Sequence, residues 1–138
     1  MNTPKNILFV CLENAGRSQI AEAFFKKYDK NKFNVMSAGT TPSSHLNPIV
    51  ILVMAEIGID LQNQQPQLLS NSMIENSTKT INMGCMDKES CPSLFVNTID
   101  NWNIDDPKGK SIDDVRKIRD QIKTDVLNLI DSLESDNS

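Results

Sequence analysis

Histidine is almost missing from this sequence: His45 is the single one in 138 residues. Cysteine is scarce as well, with three in all, Cys11, Cys85 and Cys91. A structural zinc centre needs four cysteine or histidine ligands, and no second pair stands beside Cys85 and Cys91 to complete one. Excess positive charge is absent. Fourteen Lys and Arg against 18 Asp and Glu give a net charge of −4, which excludes the basic stripe of a nucleic-acid binder. Apolar runs are short. The two longest, Ile7 to Leu12 and Ile49 to Ala55, fall far below the length that spans a bilayer. The N-terminal stretch lacks a small-residue cleavage site after its short apolar run, so the expected compartment is the cytoplasm. The segment Thr40 to Leu46 contains no aromatic residue that would sandwich a phenyl ring. Internal repeats, linkers and low-complexity stretches are also absent, so one domain over residues 1–138 is expected, with 134–138 as a frayed tail. A small acidic domain of this kind is compatible with a monomer.

What is present reads as alternating strands and helices. Apolar residues make up 38% and charged residues 23%, the balance of an ordinary globular chain. Asn6 to Val10 has the apolar run of a buried strand, and Ser18 to Tyr28 repeats apolar residues at helical spacing (Ile20, Ala21, Phe24, Phe25, Tyr28). Phe33 to Ser37 is a second short strand. Asn47-Pro48 gives a cap and a first-turn proline to a helix that Gly58 closes. Gln62 to Ser72 is polar and is read as loop with a short helical turn. Lys79 to Met83 and part of Val96 to Trp102 are further strands. Ser111 caps a long helix with acids in its first turn and a stripe of Val115, Ile118, Ile122, Val126, Leu129 and Leu133. This order implies an α/β fold: an open, parallel, four-stranded sheet with helices on both faces. Ligands in such sheets bind beyond the carboxyl ends of the strands. The loops that hold Cys11, Cys85 and Asp106 each follow an expected strand.

The most informative stretch is Cys11-Leu12-Glu13-Asn14-Ala15-Gly16-Arg17-Ser18. It places a thiol at the end of a strand, a short loop after it, and the positive end of a helix facing the same point. The backbone N–H groups of Leu12, Glu13, Asn14, Ala15, Gly16 and Arg17 are candidates for gripping an oxyanion. A Cys11 thiolate is stabilised by those amides, by the helix terminus and by Arg17. Arg17 grips two anion oxygens in a fork, which lysine does not reproduce. Ser18 is placed to donate a hydrogen bond to the sulfur, and Gly16 is expected to let the backbone turn inward. Glu13 is tolerable beside an anion only if its carboxylate faces solvent while its N–H faces in. The plain structural reading, a buried free cysteine at a strand end with Arg17 merely starting a helix, leaves Asn14, Gly16 and Ser18 unaccounted for.

This loop, with Ser37-Ala38-Gly39-Thr40, resembles the low-molecular-weight protein tyrosine phosphatase superfamily, and within it the thioredoxin-coupled arsenate reductases. The resemblance runs from Ile7 to Leu133. Met83 to Pro92, with Cys85 and Cys91, is similar to the reductases' mobile redox segment. Asp105-Asp106-Pro107-Lys108-Gly109-Lys110 resembles their Asp-Pro loop and lacks the tyrosine common after the proline in phosphatases. The resemblance implies arsenate as substrate, phosphate as its analogue, a thioredoxin-like reductant and no bound cofactor. It implies Cys11 as nucleophile and Asp106 as general acid, with Asp105 a near-equal rival on sequence grounds. Cys85 and Cys91 then act as relay thiols. It also ties Glu22 to a potassium site that some reductases carry, but Gln67 stands where another ligand of that site is a carboxylate. Read from the residues alone, Glu22 is a solvated helix residue, His45 a surface residue, Trp102 core or sheet edge, and Asn14 and Ser37 braces for the Cys11 loop. Two other functions stay open: a phosphatase acting on phosphomonoesters through a phosphocysteine, and a non-enzymatic oxyanion-binding module.

Overall fold

A computed structural model describes residues 5–29, 32–84 and 99–136. Four strands and four helices follow in the order β1 (Asn6–Cys11), α1 (Arg17–Tyr28), β2 (Asn34–Gly39), α2 (Pro48–Ala55), α3 (Asn71–Asn76), β3 (Lys79–Asn82), β4 (Ile99–Asn101) and α4 (Ile112–Asp136). All strand pairs are parallel, and the sheet order is β2-β1-β3-β4. The chain leaves β1 toward β2 on one side and later returns to lay β3 on the other. The carboxyl ends of β1 and β3 therefore flank a crevice at the point where the winding reverses, the usual ligand position in an open α/β sheet. Among the described residues no helix is long and apolar enough to cross a membrane.

Alternation along β1 assigns its side chains to two layers. Ile7, Phe9 and Cys11 join the large core beneath α1, α2 and α4, while Leu8 and Val10 join Ala38 and Ile74 on the α3 side. Helices thus cover both faces. The α4 stripe expected from periodicity, Val115 to Leu133, is buried throughout. Phe9 is fully buried and meets Phe25 edge-on at 6.0 Å, and Trp102 packs on it at 5.7 Å from the sheet edge.

The helix ends follow their capping residues. Asn47 accepts from Ile49 N through Oδ1 (2.9 Å), with Pro48 in the first position. Ser70 and Ser111 accept from Met73 N and Asp114 N, each at 3.2 Å. Gly58, with φ +84°, turns the chain out of α2. Several boundaries differ from the sequence expectation. β2 starts one residue later and runs to Gly39, because Asp29 Oδ2 accepts from Phe33 N (3.2 Å) and holds that ring in the core. The turn expected within 62–72 lies at 62–63, closed by Gln64 N donating to Leu61 O (3.1 Å), and an additional helix, α3, follows it, set by Ser70 and by Met73 and Ile74 packing on the sheet. α4 continues through Asp136, past the tail expected to fray from residue 134, because Leu133 is buried in the core.

Candidate active site

The loop from Cys11 to Gly16 is held from outside by the chain that follows β2. Thr40 N, Thr41 N, Ser43 N and Asn47 N donate to the carbonyls of Cys11, Leu12, Glu13 and Ala15, at 3.3, 2.8, 3.0 and 2.9 Å. In a planar trans peptide the C=O and the following N–H point in opposite directions. Turning these carbonyls toward the rim therefore aims the N–H groups of Leu12, Glu13, Asn14 and Gly16 into the loop. Gly39 makes the close docking possible. A Cβ there would lie 2.7 Å from Leu12 O and 2.8 Å from Asn14 N. Asn14 carries the left-handed turn of the loop, at φ +53°, a conformation asparagine tolerates better than most residues. Gly16, expected to supply that turn, has φ −144°. Its role is different: a Cβ at Gly16 would stand 2.7 Å from Pro107 Cγ. The absent side chain lets the Asp-Pro loop close over the cradle.

The hydrogen bonds around the sulfur have one consistent direction. Gln67 N, which can only donate, reaches Asn14 Oδ1 at 2.8 Å, and Gln19 Nε2 reaches the same oxygen at 3.1 Å. Asn14 Nδ2 is therefore the donor to Ser18 Oγ at 2.7 Å. Ser18 Oγ lies 2.8 Å from Cys11 Sγ, where its hydroxyl donates to the sulfur when that sulfur is a thiolate. Asn14 N donates to the same sulfur at 3.2 Å. Asn14 and Ser18 are fully buried. Two buried donors thus face the thiol, as suits a thiolate.

Cys11 is 2% exposed but is not sealed in. It forms the floor of a cleft of about 310 Å³ lined by Arg17, His45, Pro48, Asp106 and Lys108 among others. Arg17 opens α1, donates through Nη1 to Ile104 O (3.1 Å) and lies 3.6 Å from Asp106 Oδ2. Asp106 Oδ1 accepts from Lys108 N (3.0 Å), which fixes the turn. Glu13 turns its carboxylate away from the cradle to Lys108 Nζ, 3.4 Å off across the cleft mouth. Asp105 is exposed and does not line the cleft. Among the described residues, no phenylalanine, tyrosine or tryptophan lines it.

Cys11, Arg17, Ser18 and Asp106 are therefore brought together, with the loop amides around them. Cys85 and Cys91 lie outside the described residues. Ser37 does not bond to the loop directly; its Oγ donates to Glu22 (2.5 Å) and its carbonyl accepts from Gln67 Nε2 (2.9 Å). Glu22 is not a solvated helix residue. Its side chain is 13% exposed and is shared between Ser37 and the Lys26 ammonium. Lys26 Nζ neutralises the Glu22 carboxylate, and Gln67 Nε2 donates to the Ser37 carbonyl, so these oxygens already have partners. Among the described residues no group of three His, Cys, Asp or Glu side chains is placed to hold a metal. The exposed His45 lines the cleft mouth, which its position in a Ser/Pro-rich loop did not indicate. Gln19 also acts here without any sequence signal, and Gln67 and Pro107, which only the resemblance singled out, act through neighbours distant in the chain.

A buried thiol in a loop with inward amides thus sits on a parallel α/β sheet, with an arginine at the helix start and an acid on a facing loop. Residues 6–138 match the low molecular weight phosphotyrosine protein phosphatase family, and the chain belongs to it. It is 38% identical over 128 residues to an arsenate reductase of Staphylococcus aureus (strain Newman), an alignment covering 91% of this chain and 96% of the relative. Its fold is similar to that of a thioredoxin-dependent arsenate reductase of Corynebacterium glutamicum (TM-score 0.82, 30% identity), covering 99% of this chain and 65% of that one. It is also similar to a solved arsenate reductase in the phosphate binding state (TM-score 0.82, 32% identity, 93% of this chain and 98% of that one).

Proposed function

We propose that this protein reduces arsenate to arsenite, with three cysteines passing the electrons and a thioredoxin-like protein supplying them. Arsenate, for which phosphate is the stable analogue, enters the cradle, where loop amides and Arg17 hold its oxygens. The Cys11 thiolate attacks arsenic, and Asp106 protonates the oxygen that leaves as water. Cys85 thiolate then attacks Cys11 sulfur. The arsenic–sulfur bond breaks, arsenic keeps the electron pair and departs as arsenite, and a Cys11–Cys85 disulfide remains. Cys91 thiolate attacks Cys85 sulfur, frees the Cys11 thiolate and leaves Cys85–Cys91 to be reduced by the partner dithiol. Such a relay needs three free thiols, as a reducing compartment such as the cytoplasm keeps them.

The observation that carries this reading is Gly84. It is the chain neighbour of Cys85, and it sits against the Arg17 guanidinium at the carboxyl end of β3. The chain thus enters the Cys85 segment at the edge of the Cys11 cleft. Phosphomonoester hydrolysis uses the same cradle and is expected as a weak side activity, because among the described residues the cleft has no aromatic wall for a phenyl ester.

The test compares arsenate-dependent oxidation of reduced thioredoxin with hydrolysis of an aryl phosphate, for the unsubstituted protein and a Cys85→Ser/Cys91→Ser variant. The proposal expects the double substitution to abolish the first activity and spare the second. Sustained arsenate turnover by that variant would overturn it. Cys91→Ser alone is expected to stop after one turnover with Cys11 bridged to Cys85, seen by disulfide mapping.

A further inference from the structure

Among the glycines with positive φ, Gly84 alone has no space for a side chain. Gly58 (φ +84°) and Gly109 (φ +76°) would carry a Cβ without meeting any atom within 4 Å. At Gly84 (φ +138°) a Cβ would fall 2.0 Å from Arg17 Nη1, 2.4 Å from Cζ and 2.7 Å from Nη2. Those atoms make up the planar end of one guanidinium. The bare backbone of Gly84 is the surface on which it lies.

That surface is tied down. Met83 N donates to Val10 O (2.7 Å), joining the end of β3 to β1. Gly84 N donates to Asn82 Oδ1 (3.2 Å), and Asn82 Nδ2 donates to Asn101 Oδ1 (2.9 Å) on β4. On its other sides the guanidinium has Ile104 O at 3.1 Å from Nη1 and Asp106 Oδ2 at 3.6 Å from Nη2. The direction of the fork is therefore set by three chain segments, and Gly84 supplies the wall. A guanidinium recognises a tetrahedral oxyanion through paired, directed N–H bonds, so a tilt weakens binding while the charge stays in place.

We propose that Gly84 is a positioning residue for oxyanion binding, holding the Arg17 fork toward the Cys11 cradle by the absence of a side chain. The inference rests on the reading of that cradle as an oxyanion site. Gly84 touches no substrate and acts only through Arg17. An alanine there pushes the guanidinium aside and strains the backbone, so oxyanion affinity falls while the Cys11 loop, held from the rim, keeps its shape.

The experiment uses the full-length chain with Cys85→Ser and Cys91→Ser, so that Cys11 is the one thiol that reacts. The dissociation constant of inorganic phosphate is measured by protection of Cys11 from iodoacetamide, beside a thermal melt. Gly84→Ala is expected to raise that constant on the order of tenfold, the loss of one charge-assisted hydrogen bond. In an Arg17→Lys background the same substitution is expected to change it less than about twofold, since the lysine stem presents no planar fork to displace. An unchanged constant in the Arg17 background overturns the inference. So does an equal loss in both backgrounds, which marks a general distortion. No protection without Gly84→Ala sinks the oxyanion reading itself and this inference with it. If the Gly84→Ala chain does not fold, the Arg17 side-chain N–H signals with Gly84 intact decide the matter. Separate, slowly exchanging Nη signals before phosphate is added support a pinned fork, and one averaged signal overturns it.

Discussion

The Asp106 carboxylate stands 3.6 Å from the Arg17 guanidinium, above the cleft whose floor is Cys11. The arginine proposed to grip the oxyanion and the acid proposed to protonate its leaving oxygen thus share one opening. Asp105, adjacent in sequence, is exposed outside that opening. Asp106→Asn is expected to lower arsenate turnover by about a hundredfold or more, in the range of a lost general acid. Asp105→Asn is expected to change it by less than about threefold, as for a group that touches nothing in the site. Steady-state kinetics of the two variants check the assignment, and equal losses refute it.

Gly16 and Pro107 supply a second prediction. Gly16→Ala would set a methyl 2.7 Å from Pro107 Cγ, and Pro107 is buried. The loop then lifts and carries Asp106 away from the cradle. A displacement of about 1 Å at a reacting group costs up to about a hundredfold in rate, so a fall in kcat of at least about tenfold is expected with little change in Tm. Pro107→Ala, which removes the clashing ring, is expected to restore part of the loss in the double variant. A double variant slower than Gly16→Ala alone argues against the clash as the cause.

Asn14 joins Gln67, Gln19 and Ser18 while holding φ at +53°. Asn14→Ala removes the acceptor for two N–H donors and leaves a β-carbon in left-handed backbone. We expect a loss of about 2–4 kcal/mol from unpaired buried groups and strain together. Asn14→Gly loses the same hydrogen bonds without the strain, and its loss is expected to be smaller by about 1 kcal/mol. Urea denaturation of both variants separates the two contributions. Identical midpoints would show that the turn stores no strain.

Glu56 ties the end of α2 to α4. Arg116 donates to it through Nε (3.1 Å) and Nη2 (2.6 Å), and Arg119 through Nη1 (3.1 Å). These bonds, Arg116 first, hold its carboxyl below the usual 4.5. A carboxyl lowered in the folded state stabilises the fold above its unfolded value and loses that contribution as pH falls through its folded value. Glu56→Gln is therefore expected to lower Tm slightly at pH 7, since the pair is partly exposed. The difference from the unsubstituted protein should shrink toward zero as pH drops below about 4.5. A constant difference down to pH 3 would show that packing rather than charge is at work.

Reading the chain alone went furthest where chemistry is local. Asn47-Pro48, Ser111 and Gly58 mark helix ends by groups within a few residues, and each acts there in the fold. Misreadings arose where the deciding partner was remote. Glu22 looks solvated by its polar neighbours Gln19 and Lys26, but Ser37, fifteen residues away, draws it inward. Gly16 reads as letting the backbone turn inward, but the left-handed position of the loop is Asn14, and Gly16 instead leaves room for Pro107.

The order of residues by itself determined the alternating strands and helices, the placement of Cys11 at a strand end and of Arg17 at a helix start, and the presence of two further thiols, because periodicity, capping and loop length are properties of neighbouring residues. Only the tertiary structure decided that rim N–H groups turn the loop carbonyls outward, that Gln67 fixes the orientation of the Asn14 amide beside Ser18, and that Gly84 lies against Arg17. Each of these joins atoms from separate strands or loops, and they meet only when burial of Phe9, Ile81 and the α4 stripe brings the carboxyl ends of β1 and β3 together.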